Sequence, residues 1–156
     1  MIVTLKPVEF TKTRPVKSPE RGTPEAAGID FFVPDDWNGG REMLLAPHTS
    51  AVIPSGIHVK LQPSSVLIAF NKSGMATKYG FVMGACVIDS DYTGEVHLHL
   101  INTTEFGQVI RPGMKVAQFV HMPIGSYMPV ERTSLDEMYG EKTTERGDGK
   151  FGSTGE

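Results

Sequence analysis

Short apolar or alternating runs, each broken by glycine or proline before it reaches helical length, follow one another along almost the whole chain. They occupy residues 2–5, 28–33, 43–46, 50–53, 56–61, 65–70, 85–88, 95–102, 108–110, 115–122 and 127–130, and 17 glycines and 11 prolines supply the stops. Runs this short, at roughly ten-residue spacing with turn signals between them, are the pattern of an antiparallel sandwich or barrel. No segment sustains a helical period. We therefore expect an all-β fold, an antiparallel jelly roll or β-barrel, with two short helices as accessories. Residues 73–79 form one, stopped by Gly80; Ser134-Leu135-Asp136-Glu137 has the form of a capping box that opens the other, with Gly140 as its stop. Residues 46–61, with Pro47, Pro54 and Gly56, read as a hairpin that completes the core.

At 156 residues and 17.0 kDa the chain is about one domain, long enough to bury a core without disulfides. The single cysteine, Cys86, excludes an internal disulfide and fits a reducing compartment. No run approaches the ~18 apolar residues of a membrane span, and the N-terminus lacks the charged-then-apolar order of a secretory signal. A soluble, cytoplasmic protein with no membrane partner is the expectation. With 15 Lys+Arg against 18 Asp+Glu, net charge −3 and pI about 5.9, no global field attracts a polyanion, so a nucleic-acid partner is not expected. A mononucleotide needs only a few local donors: backbone N–H groups, hydroxyls, a lysine and an arginine.

Hydrophobicity, turn residues and titratable groups concentrate in residues 84–102, GACVIDSDYTGEVHLHLIN. Ala85, Cys86, Val87 and Ile88 read as a short buried strand, Ser90, Asp91, Thr93 and Gly94 as a turn, and Val96, Leu98 and Leu100 as the buried face of a second strand. The result is a hairpin with Asp89, Asp91 and Tyr92 at its mouth. Two acids and a phenol beside a tight turn can do chemistry; Asp and Ser also favour turns for backbone reasons alone. His97 and His99 share one face of the second strand, where surface or interface packing suits them better than a metal shared between copies.

GACVIDSDYTGEV resembles the third of five sequence motifs of the trimeric dUTP pyrophosphatases (dUTPases), and the other four can be found in order. Ala26-Ala27-Gly28-Ile29-Asp30-Phe31 is similar to the first. Asp30 would stand in an apolar strand, either as a structural carboxylate satisfied by backbone N–H groups or, as the resemblance implies, as an indirect metal group acting through a water on Mg²⁺. Asn71-Lys72-Ser73-Gly74-Met75-Ala76 resembles the second motif, with Asn71 in place of proline and Lys72 in place of arginine. By itself Ser73 is an ordinary helix N-cap; the resemblance makes Lys72, Ser73 and Gly74 phosphate contacts. Gly113, Ala117 and Gln118 match the fourth motif, from which Met114 and Lys115 depart, and Gln118 would offer its amide to a phosphate. The tail RGDGKFGSTGE reads by composition as disordered. It also matches the fifth motif except at Lys150, which implies a lid: Phe151 stacks on the base while Arg146, Gly152, Ser153 and Thr154 gather the γ-phosphate.

The resemblance implies hydrolysis of dUTP to dUMP and pyrophosphate with Mg²⁺ held mainly by the substrate's three phosphates, in a homotrimer with shared sites. Asp89 would be the catalytic carboxylate that activates water; Gly84, Ala85, Val87 and Ile88 would read the uracil edge, and Tyr92 would exclude a 2′-OH. Cys86 stands where relatives usually carry glycine, adding a Cβ and a sulfur near the base. The implied organisation is a β domain over 1–133, a linker with an insertion over 134–145 and a Gly-rich arm over 146–156. Two other readings are a dCTP deaminase and a non-catalytic dUTP-binding signalling module. Deaminases carry aspartate-proline-glycine-tryptophan where this chain has Asp89-Ser90-Asp91-Tyr92, and a catalytic glutamate at the position of His99; a pure sensor has no need of Asp89.

Overall fold

The computed structural model describes residues 7–125 and 127–140, so the run at 2–5 and the whole arm, with Arg146, Phe151, Gly152, Ser153 and Thr154, lie outside the described residues. The chain forms two compact units that divide after Gly125.

In the first unit the strands are β1 (Glu9–Lys12), β2 (Glu20–Arg21), β3 (Ile29–Phe32), β4 (Met43–Leu45), β5 (Ser50–Lys60), β6 (Ser65–Phe70), β7 (Phe81–Met83), β8 (Val87–Asp89), β9 (Glu95–Asn102), β10 (Gln108–Ile110) and β11 (Lys115–Pro123). Helix α1 (Ser73–Tyr79) lies between β6 and β7 and ends at Gly80, whose φ of +63° is the left-handed conformation glycine favours. Two sheets, ordered β1-β5-β9-β7 and β2-β3-β11-β6-β8, and the small pair β10-β4 carry the fold, and the strand pairings are antiparallel. Phe31, Leu67 and Phe119 from one large sheet join Ile53, Ile57, Leu98 and Leu100 from the other in a single core. The Phe31 and Phe119 rings, 4.5 Å apart between centroids, pin β3 to β11 at its centre. The jelly-roll expectation is met. No helix among the described residues is long and apolar enough to cross a membrane.

Three local expectations are corrected. Residues 46–61 are not a hairpin: β5 runs unbroken through Pro54 and Gly56, which are absorbed as an irregularity in its pairing with β9 between Pro54 and His58. Proline is tolerated there because β1 pairs with β5 only at Ile57 to Lys60, leaving one side of Pro54 without a ladder to break. Residues 84–102 are not a hairpin either. β8 pairs with β6 in one large sheet while β9 pairs with β5 and β7 in the other, so the turn that Tyr92 N–H closes onto the Asp89 carbonyl at 3.2 Å carries the chain between sheets. Alternation fixes which face of a strand is apolar and leaves the partner strand open. Nor is β8 buried. It is an edge strand, and Val87 is 57% exposed.

In the second unit, α2 (Leu135–Tyr139) forms as expected, with Ser134 Oγ accepting from Glu137 N–H at 3.1 Å. The Glu137 carboxylate reaches back one residue further than a capping box requires, accepting from Thr133 N–H and Oγ1 at 2.7 and 2.6 Å. Residues 127–130 are exposed and form no strand.

Candidate active site

The loop and strand over residues 85–89 wall a cleft of about 200 Å³, closed on its other sides by Tyr92, Glu95 and His97. Apart from Gly84, each predicted base, sugar and catalytic residue that the structure describes lines it. Asp89 ends β8, exposed, and among the described residues no hydrogen bond or ion pair ties its side chain down. Its carboxylate is therefore free to hold a water. Val87, 57% exposed, supplies an apolar wall of the cleft, a surface suited to a planar ring. Cys86 is half-buried with a free thiol and shares the cleft wall.

Tyr92 is held in place at the cleft wall. Its hydroxyl donates to the Glu95 carbonyl at 2.9 Å, and its ring lies against Gly94 so closely that a Cβ there would overlap the phenol. Glu95 in turn accepts from the Gly56 N–H at 2.5 Å, which ties this turn to the irregular stretch of β5. Gly84 and Ala85 are pinned from below: Gly84 N–H donates to the His99 carbonyl at 2.8 Å and Ala85 N–H to His99 Nδ1 at 2.9 Å.

A second cleft, about 400 Å³, is lined by Ala27, Gly28, Phe70, Asn71, Gln118 and Val120; of the predicted phosphate residues that the structure describes, Gln118 lines it, and Lys72, Ser73 and Gly74 follow Asn71 along the chain. Gln118 Nε2 donates to the Asn71 carbonyl at 2.8 Å, and its side chain lies over Gly28, where a Cβ would stand 2.6 Å from Gln118 Oε1. One glutamine thus joins the segments resembling the first, second and fourth motifs. Beside it Asp30, 4% exposed, accepts from Lys72 Nζ on Oδ1 at 2.8 Å and from Lys115 Nζ on Oδ2 at 2.9 Å. Burial pushes the Asp30 carboxyl up, but the bonds and charges of the two lysines outweigh it and hold the group below its ordinary value of 3.8. Its counter-groups are two ammonium ions and not backbone N–H groups. Ser73 and Gly74 are exposed at the start of α1, with open space beside Gly74.

The two clefts share no lining residue. Along β6, Asp89 pairs with Val66 and Gln118 with Phe70, from strands on opposite sides. Four residues of strand set them about 13 Å apart along β6, and two inter-strand spacings add about 10 Å across the sheet.

His99, Gly94, Asn71 and Lys115 are contributors that the sequence reading did not assign. Asn71 and Lys115 were visible as departures from their motifs, and each has a partner: Asn71 Oδ1 accepts from Met83 N–H at 2.7 Å, which proline could not do. Gly94 read only as a turn former, and nothing in the sequence points from His99 to Ala85. His97 Nδ1 lies 2.9 Å from the Glu95 carbonyl. Among the described residues no group of three or more His, Cys, Asp or Glu is placed to hold a metal ion.

Comparison with known proteins gives this geometry its family. The dUTPase family profile matches residues 14–155. A deoxyuridine 5′-triphosphate nucleotidohydrolase of Desulfitobacterium hafniense is 35% identical over 158 residues, spanning 98% of this chain and 97% of that protein. Among solved structures, a mutant dUTPase of Staphylococcus bacteriophage 80alpha, determined with dUpNHpp, superposes with a TM-score of 0.79 at 21% identity, covering 97% of this chain and 100% of that one. A mutant dUTPase from phage phi11 of S. aureus, whose structure describes coordination of a structural Mg(II) ion, gives 0.70 at 20% identity over 84% of this chain and 99% of that one. Deaminase and sensor readings gain nothing from these relatives. With its motifs in order, its jelly roll and a relative at 35% identity over nearly its whole length, the chain belongs to the dUTPase family.

Proposed function

We propose that the chain hydrolyses dUTP to dUMP and pyrophosphate, with uracil and deoxyribose in the cleft of residues 85–89 and Asp89 directing water onto the α-phosphorus. The observation that carries this reading is that cleft, where an unencumbered carboxylate, an exposed apolar strand face and a tyrosine fixed at the rim converge. Asp89 accepts a proton from the water as its oxygen bonds to the α-phosphorus; the bond from that phosphorus to the bridging oxygen breaks, and pyrophosphate leaves. Tyr92, locked by Glu95 and Gly94, presents a flat face to the sugar and leaves no room for a 2′-OH.

Charge on the leaving pyrophosphate is met by Lys72, Ser73, Gly74 and Gln118. The arm over residues 146–156 closes with Phe151 on the base and Arg146, Gly152, Ser153 and Thr154 on the γ-phosphate. Mg²⁺, when carried in on the phosphates, supplies further neutralisation. The residues present fit a metal carried that way. Each Asp30 oxygen accepts one bond from a lysine, which leaves lone pairs for a contact with a metal-bound water.

The separation of Asp89 from Gln118 supports a site completed between copies, with the water-directing cleft of one protomer facing the phosphate cleft of the next in a homotrimer. A lone free thiol and a nucleotide substrate suit a cytoplasmic enzyme. The test is pyrophosphate release from each deoxynucleoside triphosphate in the presence of Mg²⁺. Activity confined to dUTP is expected; comparable release from dTTP or dCTP overturns the assignment of the base cleft, and ammonia release from dCTP restores the deaminase reading.

A further inference from the structure

We propose that His99 is a positioning residue for pyrimidine recognition: it fixes the backbone of Gly84 and Ala85 from beneath, so that the base cleft is shaped before substrate arrives. The inference rests on the reading of residues 85–89 as the base site.

His99 sits on β9 opposite Val52 of β5, and β9 pairs on its other side with β7, which ends at Met83. Past that end the chain leaves the ladder, and here the histidine takes over. Its carbonyl accepts from Gly84 N–H at 2.8 Å and its Nδ1 accepts from Ala85 N–H at 2.9 Å, two successive donors held by one residue. Because a backbone amide can only donate, Nδ1 must carry the lone pair and the ring proton must lie on Nε2. The ring also fills the space under Gly84, where a Cβ would overlap the imidazole; glycine at this position is what lets the ring reach the next amide. One residue earlier, Asn71 Oδ1 holds Met83 N–H at 2.7 Å, so three consecutive amides are anchored ahead of the cleft wall. Two of them are therefore already bonded to His99 rather than left to a ligand. Base discrimination falls to the rest of the cleft wall, whose placement depends on a loop that starts from a fixed point.

A loop held in its binding geometry loses less entropy when the ligand arrives, so its anchor acts on affinity and selectivity more than on the bond-breaking step. His99→Leu keeps much of the volume and removes the acceptor; His99→Asn restores an acceptor near the position of Nδ1. Amide hydrogen exchange of the free protein, without nucleotide, reads the anchor itself, and steady-state kinetics with dUTP, dTTP and dCTP read its consequence. The expected result has three parts. Exchange at Ala85 is faster in His99→Leu; KM for dUTP rises roughly two- to tenfold, the scale of one lost hydrogen bond, with kcat within about twofold; and His99→Asn recovers most of both. An unchanged KM in His99→Leu with exchange accelerated overturns the proposal, as does a fall in kcat that His99→Asn fails to rescue. If the wild-type chain turns over no dUTP, the functional reading has failed instead, while Ala85 exchange still tells whether His99 anchors the loop.

Discussion

Lys115 Nζ on β11 lies 2.9 Å from Asp30 Oδ2 on β3, completing from one side a carboxylate that Lys72 completes from the other. Lys72 stands where the second motif has arginine, so the bidentate fork of a guanidinium gives way to two single-point contacts, one to each oxygen. A point charge has no fork geometry to satisfy, and two of them occupy a carboxylate as fully as one arginine does.

Asp30→Ala would leave two ammonium groups without their counter-charge beside a buried site. Since the lysine side chains retain 28% and 36% exposure, water takes up part of the loss, and a destabilisation of about 1–3 kcal/mol is expected. Urea denaturation at neutral pH measures it. A change below about 0.5 kcal/mol, the range of an ordinary surface substitution, would show that the pairs contribute little.

The same cluster sets a pH dependence. The folded-state pKa of Asp30 lies below its ordinary 3.8, so the folded protein holds the ionised form more strongly than the unfolded chain does. Its contribution to stability is therefore present above about 3.8 and is lost as pH falls below that value through the folded pKa. The stability difference between wild type and Asp30→Asn should be full at pH 7 and shrink as pH falls below 3.8. A difference that grows with acidification would reverse the assigned sign.

Asp89→Asn preserves shape and removes the proton acceptor. Turnover of dUTP should fall by at least ~100-fold, the usual scale for a lost general base, with KM little changed. Equal turnover by the variant would remove Asp89 from the chemistry.

Gly94→Ala places a methyl group where the Tyr92 ring lies. Either the ring moves or the turn opens, at a cost of about 1–3 kcal/mol, and the sugar face is disturbed in both cases. A higher KM for dUTP and weaker discrimination against UTP are expected from parallel kinetics with the two nucleotides. Unaltered selectivity would mean that Tyr92 does not guard the 2′ position.

Asp89→Asn and Lys72→Ala, each impaired alone, should complement when unfolded together and refolded as mixed assemblies. If Asp89 of one protomer serves the phosphate cleft of its neighbour, random mixing in a ring leaves roughly a quarter of sites with both groups intact, and activity returns to that level. No recovery would place both groups in one chain's own site.

The amino-acid sequence alone determined the strand-rich class, the two short helices and the order of the functional segments, because punctuation by glycine and proline and the period of apolar residues are local properties. Residues 65–70, 73–79, 95–102 and 108–110 end where their own side chains dictate. Which strand each would pair with was not local. The 84–102 segment carries hairpin chemistry, yet β8 joins β6 and β9 joins β5 and β7, since Val96, Leu98 and Leu100 of β9 are buried in the core while β8 stays at an exposed edge. Pairing of β9 with β7 brings His99 under Ala85, and pairing of β3 with β11 brings Lys115 to Asp30, contacts across strands that no spacing along the chain encodes.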